Sequence, residues 1–194
     1  MEYLELGETY SQSYSRKSCF PRQASYGRGM HDVPETRWLN EEQDFTWRAV
    51  WSLMTWLPTK LDQQLREDSG LSLYEYYALS QISEAPDRSI RLSELASITN
   101  MTLSHLSRVI SRMMKAGWVE RIPDPEDGRY TLGVLTDAGW DKVEEMAPGH
   151  VEAVQQAIFD QLTDEQARAL GETAARVAEA VSPRGEVTGP PTTR

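Results

Sequence analysis

The sequence predicts a mainly α-helical protein with one small β-hairpin, and three observations carry that prediction. Apolar residues recur at i, i+3, i+4 and i+7 over several long stretches. Helix-opening capping boxes stand at Ser72-Leu-Tyr-Glu75 and Thr163-Asp-Glu-Gln166. Period-two alternation occurs only around residues 119–122 and 130–134. A length of 194 residues suits one domain with tails. No run approaches the roughly 18 apolar residues that a membrane helix needs, so no membrane partner is expected. The stretch Met1–Tyr14 is acidic and rich in Tyr and Ser, unlike a secretory signal, and the expected location is the cytoplasm.

Residues 1–36 lack helical periodicity and are expected to form a disordered extension, and residues 182–194, rich in Pro, Gly and Thr, a loose tail. The first long helix is expected from about Trp38 to Arg66. Val50, Leu53, Met54, Leu57, Leu61 and Leu65 form one apolar stripe, while Trp38, Phe45, Ala49 and Trp56 form a second on the opposite side. A helix apolar on two sides needs two packing partners, one of which can be another subunit. Pro58 is expected to kink it near Met54–Leu57.

The next helix runs from the Ser72 capping box to about Glu84, stopped by Ala85-Pro86-Asp87. Two short helices follow, the first capped by Ser93 over residues 94–98 and the second capped by Thr102 and reaching about Ala116. Leu106, Val109, Ile110 and Met113 give the second an inner face, and Gly117 suits a left-handed helix end. Two strands then face each other, with Tyr130, Leu132 and Val134 expected on one apolar face, joined by the exposed turn Pro123–Arg129. A long helix capped by Thr136, broken or kinked near Pro148-Gly149, is expected to reach about Gln161. The Thr163 box opens a last helix through Val181, with Leu170, Ala174, Val177 and Val181 on one side.

Two short helices followed by a hairpin with a protruding tip make a winged helix-turn-helix, here flanked by long helices. The net charge of −10 speaks against a nucleic-acid partner only on average. From Arg88 to Arg129 seven cations stand against five acids, so this segment carries +2 and the remainder −12. The second short helix turns Ser104, Ser107, Arg108, Ser111, Arg112 and Lys115 to one small, polar, cationic face suited to a major groove. Thr102 and His105 at its start, and Arg91 just before the helix pair, are further candidates for contact with DNA. Arg129 at the wing tip is placed for an adjacent minor groove, with Asp127 able to brace it.

The sequence resembles the MarR family of bacterial transcriptional regulators over about Trp38–Val181. The resemblance lies in Leu92-Ser-Glu-Leu-Ala96, Ser107-Arg108 with Arg112-Met113, Ala116-Gly-Trp-Val-Glu-Arg121, Asp124-Pro-Glu-Asp-Gly-Arg129, and Val134-Leu-Thr-Asp-Ala-Gly139. Gly128 departs from it, standing where many members have a second wing arginine. The resemblance implies a domain over residues 37–181, with dimerisation helices at 37–66 and 137–181 and a winged helix at 72–136. It further implies a homodimer on a pseudo-palindromic operator in double-stranded DNA, usually as a repressor, and often release by a small aromatic or anionic effector. Trp47, Trp51, Tyr77 and His150 are the candidate effector contacts, although Trp stripes at helical spacing are more often core or interface.

Other readings are weaker. Cys19, the only cysteine, could serve a redox-responsive regulator, but it lies in the expected extension without an activating environment. His31, His105 and His150 fall on separate elements, so neither metal nor cofactor is expected. No nucleophile stands with a plausible base and no glycine loop cradles phosphate, so an enzyme is not expected. A winged helix used only for protein contacts is the main alternative, supported by the net acidity.

Overall fold

The computed structural model describes residues 36–182 and 187–190. Residues 1–35, which include Cys19 and His31, lie outside the described residues, and residues 36–40 are irregular, with Trp38 N–H donating to Thr36 O. A separate compact unit begins at Glu41. Its elements are α1 (Glu41–Ser69), α2 (Leu73–Glu84), a 3-10 turn (Pro86–Arg88), β1 (Ser89–Arg91), α3 (Leu92–Ile98), α4 (Leu103–Lys115), β2 (Val119–Pro123), β3 (Thr131–Leu135), α5 (Asp137–Ala157), a second 3-10 turn (Phe159–Gln161) and α6 (Asp164–Val181). The protein is mainly helical with one small antiparallel sheet in the order β1-β3-β2, and it has the winged helix-turn-helix architecture. Among the described residues no helix is long and apolar enough to cross a membrane.

Local chemistry sets most boundaries. Glu41, Glu42 and Asp44 place negative charge at the amino end of α1, where the helix dipole favours it. Both capping boxes form, with Ser72 and Thr163 accepting from the N–H of Glu75 and Gln166, whose side chains bond back. Thr102 caps α4 through His105 N–H and Thr136 caps α5 through Gly139 N–H. Gly117, at φ +80°, takes the left-handed turn after α4.

The core lies where α2, α3 and α4 meet the sheet, α5 and the second half of α1. Leu79, Ile82, Leu95, Leu106, Val109, Ile110 and Met113 are essentially inaccessible there. Of α1 only Leu61 and Leu65 are buried. Phe45, Trp47, Val50, Trp51, Leu53, Met54 and Trp56 stay 44–68% exposed, and Leu170, Val177 and Val181 of α6 are exposed too.

Several expectations are corrected. The break allowed at Pro148 is absent, since α5 is one helix over Asp137–Ala157, and α1 is likewise one helix over Glu41–Ser69 through Pro58. Pro58 and Pro148 lie on exposed faces, where water can satisfy the carbonyls that they leave free. Ser93 is not a cap: α3 starts at Leu92, two residues early and straight out of β1, and Arg91 occupies the cap position without a side-chain bond. β1 itself was not foreseen; it pairs Ser89–Arg91 with residues 132–134 of β3. The inward face of β3 is also the opposite of the one expected, since Gly133 and Leu135 are buried while Leu132 and Val134 are half-buried and Tyr130 is exposed. Gly133 fits inside because a Cβ there would stand 2.9 Å from Leu92 Cδ2, and that lack of a side chain hides the true phase of the alternation.

Candidate nucleic-acid interface

The amphipathicity of α4 builds the site. Its inner residues anchor it in the core, which leaves Thr102, Ser104, Ser107, Arg108, Ser111, Arg112 and Lys115 on the exposed side. His105 is half-buried, its ring edge-on to Tyr74 at 5.1 Å. The hydroxyls are partly engaged. Thr102 and Ser104 lie 3.1 Å apart in hydrogen-bond contact, and Ser111 Oγ donates to Ser107 O at 2.7 Å. Arg108 and Lys115 have no hydrogen-bond or ion-pair partner among the described residues.

Two contacts hold this face that sequence reasoning did not single out. Arg121 of β2 donates from one Nη to both Ser107 O and Ser107 Oγ at 3.2 Å, tying the base of the wing to the middle of α4. Arg112 Nε donates to Glu75 Oε1 at 2.6 Å. Burial of Glu75 works to raise its pKa, but hydrogen bonds from Ser72 and Arg112 outweigh it, and the carboxyl sits below its ordinary value. Glu75 was legible as a helix cap but not as a partner of a residue 37 positions away.

The wing is fastened at base and tip. Asp124, buried, accepts from the Glu126 N–H at 2.9 Å and from Arg91 Nε at 2.6 Å, which together lower its pKa. The Arg91 guanidinium also lies over the Tyr130 ring, 4.8 Å from its centroid. Arg91 thus spends one edge on the base of the wing. At the tip, Arg129 reaches both Asp127 oxygens, with Nη2 at 2.6 Å from Oδ2 and Nε at 2.9 Å from Oδ1. The side chain of Arg129 is 84% exposed all the same. Arg108, Arg112, Lys115 and Arg129 give a cationic surface on a chain that is acidic elsewhere.

The candidate effector residues lie on three helices, α1, α2 and α5. Trp47 and Trp51 lie together on the exposed half of α1 with ring centroids 5.4 Å apart. Tyr77 donates to Ile98 O at 3.2 Å, holding α2 to the end of α3. His150 is buried against Tyr76, 4.4 Å between centroids, and its Nδ1 has no hydrogen-bond partner among the described residues. Neither the cavity of about 90 Å³ between α1 and α5 nor the open groove of about 830 Å³ beside β1 and the wing is lined by any of the four. Among the described residues no group of three or more His, Cys, Asp or Glu side chains is placed to hold a metal ion.

A sequence model of the MarR family matches residues 69–129, the segment that contains both candidate surfaces. The chain is 28% identical over 147 residues to the HTH-type transcriptional repressor IacR of Pseudomonas putida, covering 76% of this chain and 84% of that protein. Among solved structures it is similar to Sco3205 of Streptomyces coelicolor, a MarR family transcriptional regulator crystallised in complex with DNA. That match has 40% identity, covers 81% of this chain and 98% of the other, and gives a TM-score of 0.72. AbsC, a MarR family regulator of the same organism, matches with 32% identity and a TM-score of 0.71, covering 78% of this chain and all of that one. With its winged helix and two relatives above 30% identity matched over nearly their whole length, the chain belongs to the MarR family of transcriptional regulators.

Proposed function

We propose that the protein binds a pseudo-palindromic operator in double-stranded DNA as a homodimer and acts as a repressor. The observation that carries this reading is the outward face of α4, polar, small and cationic, standing beside a wing tipped by Arg129. In the proposed complex α4 enters the major groove and Arg129 the adjacent minor groove. Thr102, Ser104, His105, Ser107, Arg108 and Ser111 face bases and phosphates, Arg112 faces phosphate, and Asp127 and Arg91 keep the wing in place. The exposed apolar sides of α1 and α6 are the proposed dimer contacts, with α5 linking them to the winged helix. Sco3205, crystallised with DNA, and IacR, a named repressor, support this assignment.

The test is titration of the purified protein against the DNA upstream of its own gene and against random DNA, across salt concentrations. Selective binding that weakens steeply with salt, by about 0.9 logarithmic units per phosphate contact and decade, is expected. Absence of binding to any DNA, including fragments chosen by genome-wide selection, would overturn the reading and favour a winged helix used for protein contacts.

A further inference from the structure

The first turn of α2 joins α1 to α4 through two carboxylates. Asp62 Oδ1 of α1 accepts from the Leu73 N–H at 2.8 Å, so the start of α2 is pinned to the long helix. Glu75 uses its two oxygens for different tasks. Oε2 accepts from the Ser72 N–H at 2.9 Å and from Ser72 Oγ at 2.7 Å, which closes the cap, while Oε1 takes Arg112 Nε at 2.6 Å. The Glu75 side chain is only 13% exposed, whereas that of Arg112 is 57% exposed.

Arg112 is therefore gripped from one side only. A guanidinium carries five N–H donors in a planar fork, and Glu75 occupies the one on Nε. The four on the two Nη atoms have no partner among the described residues, and the side chain is 57% exposed on a helix side that also exposes Arg108 and Ser111. A carboxylate that is itself fixed by a cap makes a stiff support for such a fork. The rotamer freedom of the long side chain is then lost in folding and not again on binding.

We propose that Glu75 is a positioning residue for DNA binding: it holds Arg112 with the Nη edge of its guanidinium turned toward a backbone phosphate. A contact made in the cap of α2, away from the α4 surface, thus sets part of the affinity. The inference rests on the DNA-binding reading above. It differs from a purely structural role for the Glu75–Arg112 pair, and from one in which Glu75 competes with phosphate for Arg112.

The experiment is a double-mutant cycle on the full chain, read as affinity and salt slope for the upstream DNA fragment. Arg112→Ala is expected to weaken binding about tenfold and to reduce the salt slope by about one unit. Glu75→Ala should weaken it about three- to tenfold, but cause no further loss in the Arg112→Ala background. Glu75→Gln, whose one amide oxygen can serve the cap or Arg112 Nε but not both, should give a partial loss no larger than that of Glu75→Ala. Ser72→Ala, which damages the same cap but leaves the carboxylate, should stay within about threefold of wild type. Arg112→Lys keeps the charge but cannot bridge carboxylate and phosphate, so it should bind several-fold more weakly at an unchanged salt slope, a comparison that stands even if Glu75→Ala fails to fold. Equal or tighter binding by Glu75→Ala, an equal loss in both backgrounds, or wild-type binding by Arg112→Lys would each overturn the proposal while leaving DNA binding intact. A wild-type chain that binds no DNA would instead remove the reading beneath it.

Discussion

Arg129 in the free protein is tied to a carboxylate two residues away, and that pair fixes the direction in which the wing tip points. The salt bridge is exposed, so it adds little to stability. Its effect is on the geometry of a long, charged side chain. Arg129→Ala is expected to weaken operator binding by ~1–3 kcal/mol with no change in oligomeric mass, measured by titration alongside sedimentation. Asp127 as the brace was legible from the two-residue spacing, but the roles of Arg121 and Glu75 were not, because each acts on a residue distant in sequence. His150 gives a prediction of a different kind. Burial disfavours its protonated form and lowers its pKa, so the fold holds the neutral ring. Once pH falls below the unfolded value of about 6.5, the unfolded chain takes up a proton that the fold resists, and stability falls until the folded pKa is reached. Denaturant titrations between pH 8 and pH 5 should show this decline, and His150→Gln should flatten it. The carboxyls with lowered pKa, Asp62, Glu75, Asp124 and Asp127, contribute stability that is lost only at lower pH, below about 4.

At the scale of elements, the junction between β2 and α5 is the least forgiving. Thr136 Oγ1 donates to Gly117 O at 2.6 Å and the Thr136 N–H to Trp118 O at 3.0 Å, so the first turn of α5 lies directly on the root of the wing. A Cβ on Gly139 would stand 2.1 Å from Trp118 O, a backbone atom that cannot move aside alone. Gly139→Ala should therefore cost ~1–3 kcal/mol and lower the thermal midpoint, whereas Gly128→Ala, with open space around its Cβ, should be near neutral. Scanning calorimetry of both variants checks the contrast. The helices and their caps were readable because capping is chemistry within four residues. The strands were read less well: Gly133 gives no hydrophobic signal although it is buried, and the three-residue β1 exists only because β3 offers it an edge.

At the scale of the whole molecule, two apolar surfaces have no cover among the described residues, one on the first half of α1 and one on α6. Contiguous exposure of Trp47, Val50, Trp51, Leu53 and Met54 is more than an isolated soluble chain ordinarily carries, and it marks an interaction surface. Sedimentation is expected to give twice the mass of one chain. Val177→Glu, which puts a charge into the apolar side of α6, should shift the population toward single chains and weaken operator binding with it. Wild-type mass and affinity in that variant would remove α6 from the interface.

The sequence by itself determined the helices, the caps at Ser72, Thr102, Thr136 and Thr163, the inner face of α4, the wing and its tip, and through their order the MarR architecture. Each of these is written in short-range spacing, because helix periodicity, caps and turns depend on residues within about one or two turns of each other. The tertiary structure alone decided which face of β3 turns inward, that β1 joins the sheet, and that both proline-containing helices run on unbroken. It also decided that Arg112 meets Glu75 and that Arg121 meets Ser107. These outcomes depend on where distant segments come to rest, which is set by packing a common core and by satisfying buried polar groups, and no local spacing encodes it.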